Sequence, residues 1–420
     1  MMNNRTALIY PLFIIGILFF VFGFITWANG VLIPYFRVGL ELTNFQSTLV
    51  AFSAYLAYFF MAIPSAWILK RTGYKKGMFV GLLVMALGTL LFVPAAYSRA
   101  YWLFLTGLFV TGTGLALLQT AANPYVAVIG PIESTARRIG FMGLANKIAG
   151  FISLAALGSL FLADADTIIE QIAAASAVQK EAILRTYILG VVNPYLVITI
   201  LLVALAIMIY FSKLPEVNES AETPDVAERV SSKKSVFQYP QLFFGIVALF
   251  FSSACEVIPI DGIILYSSAL GLPIAESRYF AQYTLVAMTM GYVASIFLIP
   301  KYLSQQGALL MCTLWGIVMT IGAYFTSGVL SVVFVIAMGF SSAMLWGTIW
   351  GLALQGLGRF TKMGSALLLM SVVGGGIFPV IFGRLMDVNV SLPQNALLLL
   401  IPCNLVMFVY AVWAYRLNRN

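Results

Sequence analysis

Twelve stretches of predominantly apolar sequence punctuate this chain, at 8–36, 45–69, 77–97, 101–129, 139–162, 186–212, 240–268, 277–300, 307–327, 329–356, 363–386 and 394–415. A helix rises about 1.5 Å per residue, so about 20 residues cross the hydrocarbon core of a bilayer. Inside lipid no water satisfies a bare amide, so each stretch must close its own backbone hydrogen bonds as a helix. The pattern predicts an all-α polytopic membrane protein with twelve transmembrane helices. Composition points the same way. Hydrophobic residues make up 61% of the chain and charged residues 9%, where a soluble domain carries about 25% charged. A water-soluble fold could not hide that much apolar surface behind so few charges.

The stretches fall into six and six. The interval between them, 213–239, holds Glu216, Glu219, Glu222, Asp225, Glu228, Arg229, Lys233 and Lys234. It reads as a linker between an N-terminal six-helix bundle, 1–212, and a C-terminal one, 240–420. The Ala-rich link 163–185 is long enough to hold a short surface helix. The halves also echo each other. Asn29-Gly-Val-Leu-Ile in the first stretch parallels Asp261-Gly-Ile-Ile-Leu in the seventh, and Arg138-Ile-Gly-Phe-Met-Gly parallels Arg359-Phe-Thr-Lys-Met-Gly. Parallel repeats of this kind place a solute site between the halves, near the bilayer midplane.

The net charge of +8 follows the topology. With the N-terminus inside, sixteen Lys and Arg fall on the cytoplasmic side and six on the other, which sets both termini in the cytoplasm. No basic stripe lies on a polar element, so a nucleic-acid partner is excluded. The chain has no histidine, which removes histidine proton relays and His-ligated metals. Cys255, Cys312 and Cys403 lie in separate apolar stretches without disulfide or metal spacing. No nucleotide-binding glycine loop, catalytic triad or acid cluster appears, so neither an enzyme nor a cofactor is expected. The N-terminus has only Arg5 before a long apolar run and no cleavage site, and it reads as a retained first helix.

Charges inside a membrane span are costly and mark functional candidates. Three lie well inside the stretches: Lys147 in the fifth, and Glu256 and Asp261 in the seventh. A structural ion pair is the alternative for each. Pro259 stands between the two acids and removes a backbone donor, which predicts a local helix break suited to a cation. Either carboxylate then serves as a site for H⁺ or Na⁺, with Na⁺ placed near Asp261. Uncharged polar residues supply the second signal: Asn29, Gln46, Gln119, Asn123 and Asn146. Gln119 and Asn123 are four apart and share a helix face. Amides both donate and accept, as a small neutral polyol requires, although helix–helix hydrogen bonding uses the same groups. Trp346 and Trp350, again four apart, sit away from the interfacial belts where tryptophan gathers. Their faces suit the apolar side of a pyranose or plain interhelical packing.

These residues resemble the major facilitator superfamily, although Lys70 stands in the basic loop Lys70-Arg-Thr-Gly-Tyr-Lys-Lys-Gly77 where that superfamily usually has Asp. Leu42-Thr-Asn-Phe-Gln46, Gln119-Thr-Ala-Ala-Asn-Pro-Tyr125, Gly130-Pro131, Gly358-Arg-Phe-Thr-Lys-Met-Gly-Ser365 and Gly374-Gly-Gly-Ile377 are similar to signatures of its fucose/galactose/glucose:cation symporter branch. The resemblance implies uptake of a hexose across a bacterial inner membrane by alternating access, by a lipid-embedded monomer coupled to H⁺ or Na⁺. Fucose carriers of that branch have Glu where this chain has Gln119, and its hexose carriers have Gln, which tilts the expectation toward glucose or galactose. The branch also has Asp where this chain has Gly30. With both usual acidic positions neutral, coupling passes to Asp261 or Glu256, or Lys147 acts as a built-in cation and leaves an uncoupled facilitator. A drug exporter of the same superfamily is the other alternative, and the amide-rich candidates argue against it.

Overall fold

The computed structural model describes residues 4–128, 135–212, 214, 235–299, 301–357 and 360–417. Among them the chain is helical and no strand occurs. The first helices are α1 (Asn4–Trp27), α2 (Asn29–Gly39), α3 (Asn44–Leu90), α4 (Phe92–Ser98), α5 (Tyr101–Val128), α6 (Thr135–Phe161), α7 (Ala165–Ala174), α8 (Ala177–Leu189) and α9 (Val192–Phe211). After the charged interval come α10 (Pro240–Asp261), α11 (Ile263–Ala269), α12 (Ile274–Leu298), α13 (Gln305–Phe325), α14 (Gly328–Leu354), α15 (Thr361–Ser371), α16 (Gly374–Val388) and α17 (Leu400–Leu417). Of the predicted interval 213–239, only 214 and 235–239 are described, with a 3-10 turn at Val236–Gln238. The Ala-rich link holds α7 and the start of α8.

Eleven helical segments are long and apolar enough to span a membrane among the described residues. One of them, Asn44–Ser98, has 55 residues and would reach about 80 Å, more than twice the hydrocarbon thickness. Gly73 divides it, with φ 78° and ψ 169°, a backbone that a side chain would strain. Counting the two parts separately restores twelve spans.

Several predicted spans are broken within, among them the first, the seventh and the eleventh. The first changes helix at Ala28, the seventh at Gly262 and the eleventh at Val372–Val373. In the seventh, the break falls three residues after Pro259 and not at it. Pro259 is carried inside α10, because neighbouring helices tolerate one lost backbone bond in a membrane helix.

The chain forms two compact units, Met1–Leu42 with Ser53–Ala221, and Thr43–Phe52 with Glu222–Asn420. In the first, α1 lies along α6. The approach is so close at Gly23 that a Cβ there would fall 1.9 Å from the Asn146 carbonyl oxygen. Rings from α2, α4, α6 and α9 fill one end of this unit. Tyr35 stacks on Phe161 at 4.7 Å and Phe92 on Tyr195 at 4.0 Å, while the Tyr35 hydroxyl donates to the Tyr187 carbonyl at 2.5 Å. Exposed ion pairs Arg99–Glu181 and Lys180–Glu41, each 2.5 Å, tie the same end together.

In the second unit α14 packs against α10, α12 and α13, and α16 lies on α10. The Asp387 carboxylate of α16 accepts from the backbone amides of Asn44 (3.0 Å) and Phe45 (2.8 Å). It thereby satisfies two of the amides that open α3, where a helix end favours negative charge.

Candidate functional site

The close approach of α1 to α6 fixes the first cluster of candidates. Gly23 and Trp27 are four apart and share a face, so the helix that touches Asn146 through Gly23 also lays the indole of Trp27 beside it. The Trp27 ring nitrogen donates to Asn146 Oδ1 at 3.3 Å. Lys147, only 4% exposed, places its ammonium 4.1 Å from the centre of the same ring. A cation over an indole face is worth about 2 kcal/mol when desolvated. That offsets part of the cost of an ammonium within a bundle.

Asn29 opens α2 immediately after the Ala28 break and is 3% exposed. Its amide makes no hydrogen bond among the described residues. Gln119 is half-buried on α5 and likewise makes none among them. Asn123 lies on the same helix, and its side chain is outside the described residues, as are Gly130-Pro131 and Gly358-Arg359 of the signature segments.

Gln46 belongs to the segment Thr43–Phe52 of the second unit. It is exposed in the first turn of α3. Its Oε1 accepts from the Thr43 amide at 3.0 Å while the Gln46 amide donates to Thr43 Oγ1 at 3.1 Å. This is a reciprocal capping box, and it gives the side chain a structural task that the sequence reading assigned to solute.

In the second unit, Asp261 closes α10 and is 1% exposed. Neither carboxylate oxygen has a hydrogen-bond partner among the described residues. Half-buried Glu256 lies five residues earlier on the same helix. An ionised carboxylate in such a place is expensive: it is desolvated, and it sits at a helix C-terminus. Taking up a cation or proton removes that cost. Trp346 and Trp350 are half-buried on α14 and stack on one another, 5.3 Å between ring centres and 19° between planes. A side chain at Gly347, beside them, would meet nothing within 4 Å.

The internal repeat has a structural counterpart. Asn29-Gly30 and Asp261-Gly262 each lie at the helix break of the first long helix in their unit. Cys255, Cys312 and Cys403 are free and buried. No group of metal-binding side chains occurs among the described residues.

Sequence reading missed Trp27, although it lies mid-stretch like Trp346 and carried the same signal. Its pairing with residues 119 positions away was not visible, because that depends on the register Gly23 sets against α6.

The Major Facilitator Superfamily model matches residues 15–383. A glucose/galactose transporter of Brucella abortus biovar 1 (strain 9-941) is 32% identical over 375 residues, covering 88% of this chain and 86% of that protein. An L-fucose-proton symporter of Escherichia coli (strain K12) is 28% identical over 419 residues, covering 97% and 94%. The crystal structure of an outward-facing fucose transporter of this superfamily superposes with a TM-score of 0.71 at 26% identity, covering 97% of this chain and 99% of that one. That of a D-xylose-proton symporter superposes at 0.70 with 13% identity, over 98% and 97%, a likeness of fold alone. Family model, relatives and fold agree: this chain belongs to the major facilitator superfamily.

Proposed function

We propose that the chain is a sugar transporter and not an enzyme, taking up a hexose such as glucose or galactose by proton-coupled symport. The observation that carries this reading is Asp261. It is a carboxyl group buried at a helix break, without a hydrogen bond among the described residues, in a chain whose relatives are named as hexose transporters and proton symporters. Protonation of Asp261 neutralises a charge that the surroundings leave unsolvated, which makes one conformation of the transporter conditional on loading. Sugar is held by Asn146, Asn29, Gln119 and Asn123 of the N-terminal bundle. Trp27 and Lys147 orient the Asn146 carbonyl, and the Trp346–Trp350 pair offers an aromatic face from the C-terminal bundle. Rocking of the bundles 1–212 and 240–420 about the linker 213–239 exposes the site to each side in turn.

The protein works as a lipid-embedded monomer in a bacterial inner membrane, with both termini cytoplasmic. Glu256 is the second candidate for the coupling ion, and Na⁺ near Asp261 is the rival to H⁺. Labelled hexose uptake into proteoliposomes, with pH and Na⁺ gradients imposed separately, tests all of this. Accumulation driven by ΔpH supports proton symport, and accumulation driven only by Na⁺ replaces the ion. Equilibration without accumulation leaves an uncoupled facilitator. Efflux of lipophilic cations without sugar competition would make the protein a drug exporter.

A further inference from the structure

Between α1, α3 and α5 of the first unit lies a hollow of about 30 Å³. Its polar wall is Asn29, Tyr55, Tyr58 and Thr111, and its apolar wall includes Leu108 and Leu115. Two of the polar groups have capacity to spare. The Asn29 amide, 3% exposed, makes no hydrogen bond among the described residues. Thr111 donates its hydroxyl proton to the Gly107 carbonyl at 2.8 Å, which leaves its oxygen free to accept. Thr26 Oγ1, by contrast, is sealed off beside the Tyr58 hydroxyl and does not face the hollow. Leaving the Asn29 amide without a partner costs free energy, so the lining calls for a polar occupant.

Size limits that occupant. One water needs about 10–15 Å³ of such space, so the hollow admits a substituent of about two heavy atoms and no sugar ring. A hexose has one group that carries a carbon and an oxygen clear of its ring, the exocyclic hydroxymethyl. A methylene fits the leucine side, and its hydroxyl donates to Thr111 Oγ1 while accepting from the Asn29 amide. Resting on the reading that the chain carries a hexose, we infer that this hollow is the subsite for the sugar's hydroxymethyl group. Asn29 and Thr111 then set a preference for hexoses over 6-deoxyhexoses and pentoses. Thr26, Tyr55, Tyr58 and Thr111 had no role in the sequence reading, because each looks like an ordinary small polar or aromatic residue within a span.

The test is competition against labelled glucose counterflow in proteoliposomes of the full chain, using unlabelled D-glucose, 6-deoxy-D-glucose and D-xylose, with the galactose series run in parallel. The subsite predicts that the sugars bearing a hydroxymethyl group compete at least about tenfold better than their analogues, the effect of one well-made buried hydrogen bond. In Thr111→Val the gap should shrink to about threefold or less. Equal competition by all sugars in the unaltered protein overturns the inference, and that result does not depend on any variant folding. A gap left unchanged in Thr111→Val also overturns it and assigns the hollow to a structural water. Failure of every hexose to be carried or to compete would instead overturn the transport reading itself, so the two failures are distinct.

Discussion

Lys147 shows how a single residue is made tolerable in a membrane bundle. Its ammonium is desolvated, and the Trp27 face 4.1 Å away gives it an electrostatic partner that needs no second charge. Trp27→Leu should therefore lower stability by about 2 kcal/mol, read as an earlier thermal unfolding transition in detergent. Lys147→Met in the same background should recover much of that loss, because the two residues interact and their effects are not additive. An additive pair would show that the contact carries no energy. Gln119 presents a different case, since its amide makes no hydrogen bond within the described structure. Gln119→Ala should weaken hexose binding about tenfold, the worth of one hydrogen bond, with the unfolding transition unmoved. Unchanged binding would make the side chain a packing element only.

At the scale of elements, the candidate cluster exists because α1 and α6 touch backbone to backbone. Gly23→Leu cannot be accommodated beside the Asn146 carbonyl, so the helices must part. The expected result is a loss of about 1–3 kcal/mol together with loss of sugar binding, measured by thermal unfolding and ligand competition on the same sample. Asp387 caps α3 from another helix. Asp387→Ala should cost about 1 kcal/mol, while Asp387→Asn, also a good capping residue, should retain most of the stability. Such elements were only partly legible in the sequence. The helix break in the seventh span was foreseen from Pro259 but falls at Gly262, since a proline inside a membrane helix removes one bond without ending the helix. An amide such as Gln46 suits a sugar, and at the first turn of a helix it also bonds the free backbone groups there. The Trp27–Asn146–Lys147 contact could not be read at all, because sequence carries the face of a helix but not the partner it meets.

For the whole molecule the sequence was far more explicit. Span length and hydropathy are imposed by lipid thickness, and they reproduce the observed helices to within a few residues at most boundaries. The positive-inside count predicts that reporter fusions at both termini will respond on the cytoplasmic side, and a periplasmic response at either end would overturn that topology. The central claim is that Asp261 couples sugar movement to protons. A gradient of about one pH unit is worth about 1.4 kcal/mol, enough for about tenfold accumulation at one proton per sugar. The most direct test is labelled hexose uptake into proteoliposomes under that gradient, comparing the unaltered protein with Asp261→Asn. The account predicts accumulation by the unaltered protein that a protonophore abolishes, and equilibration without accumulation by Asp261→Asn. Undiminished, proton-driven accumulation by Asp261→Asn would contradict it.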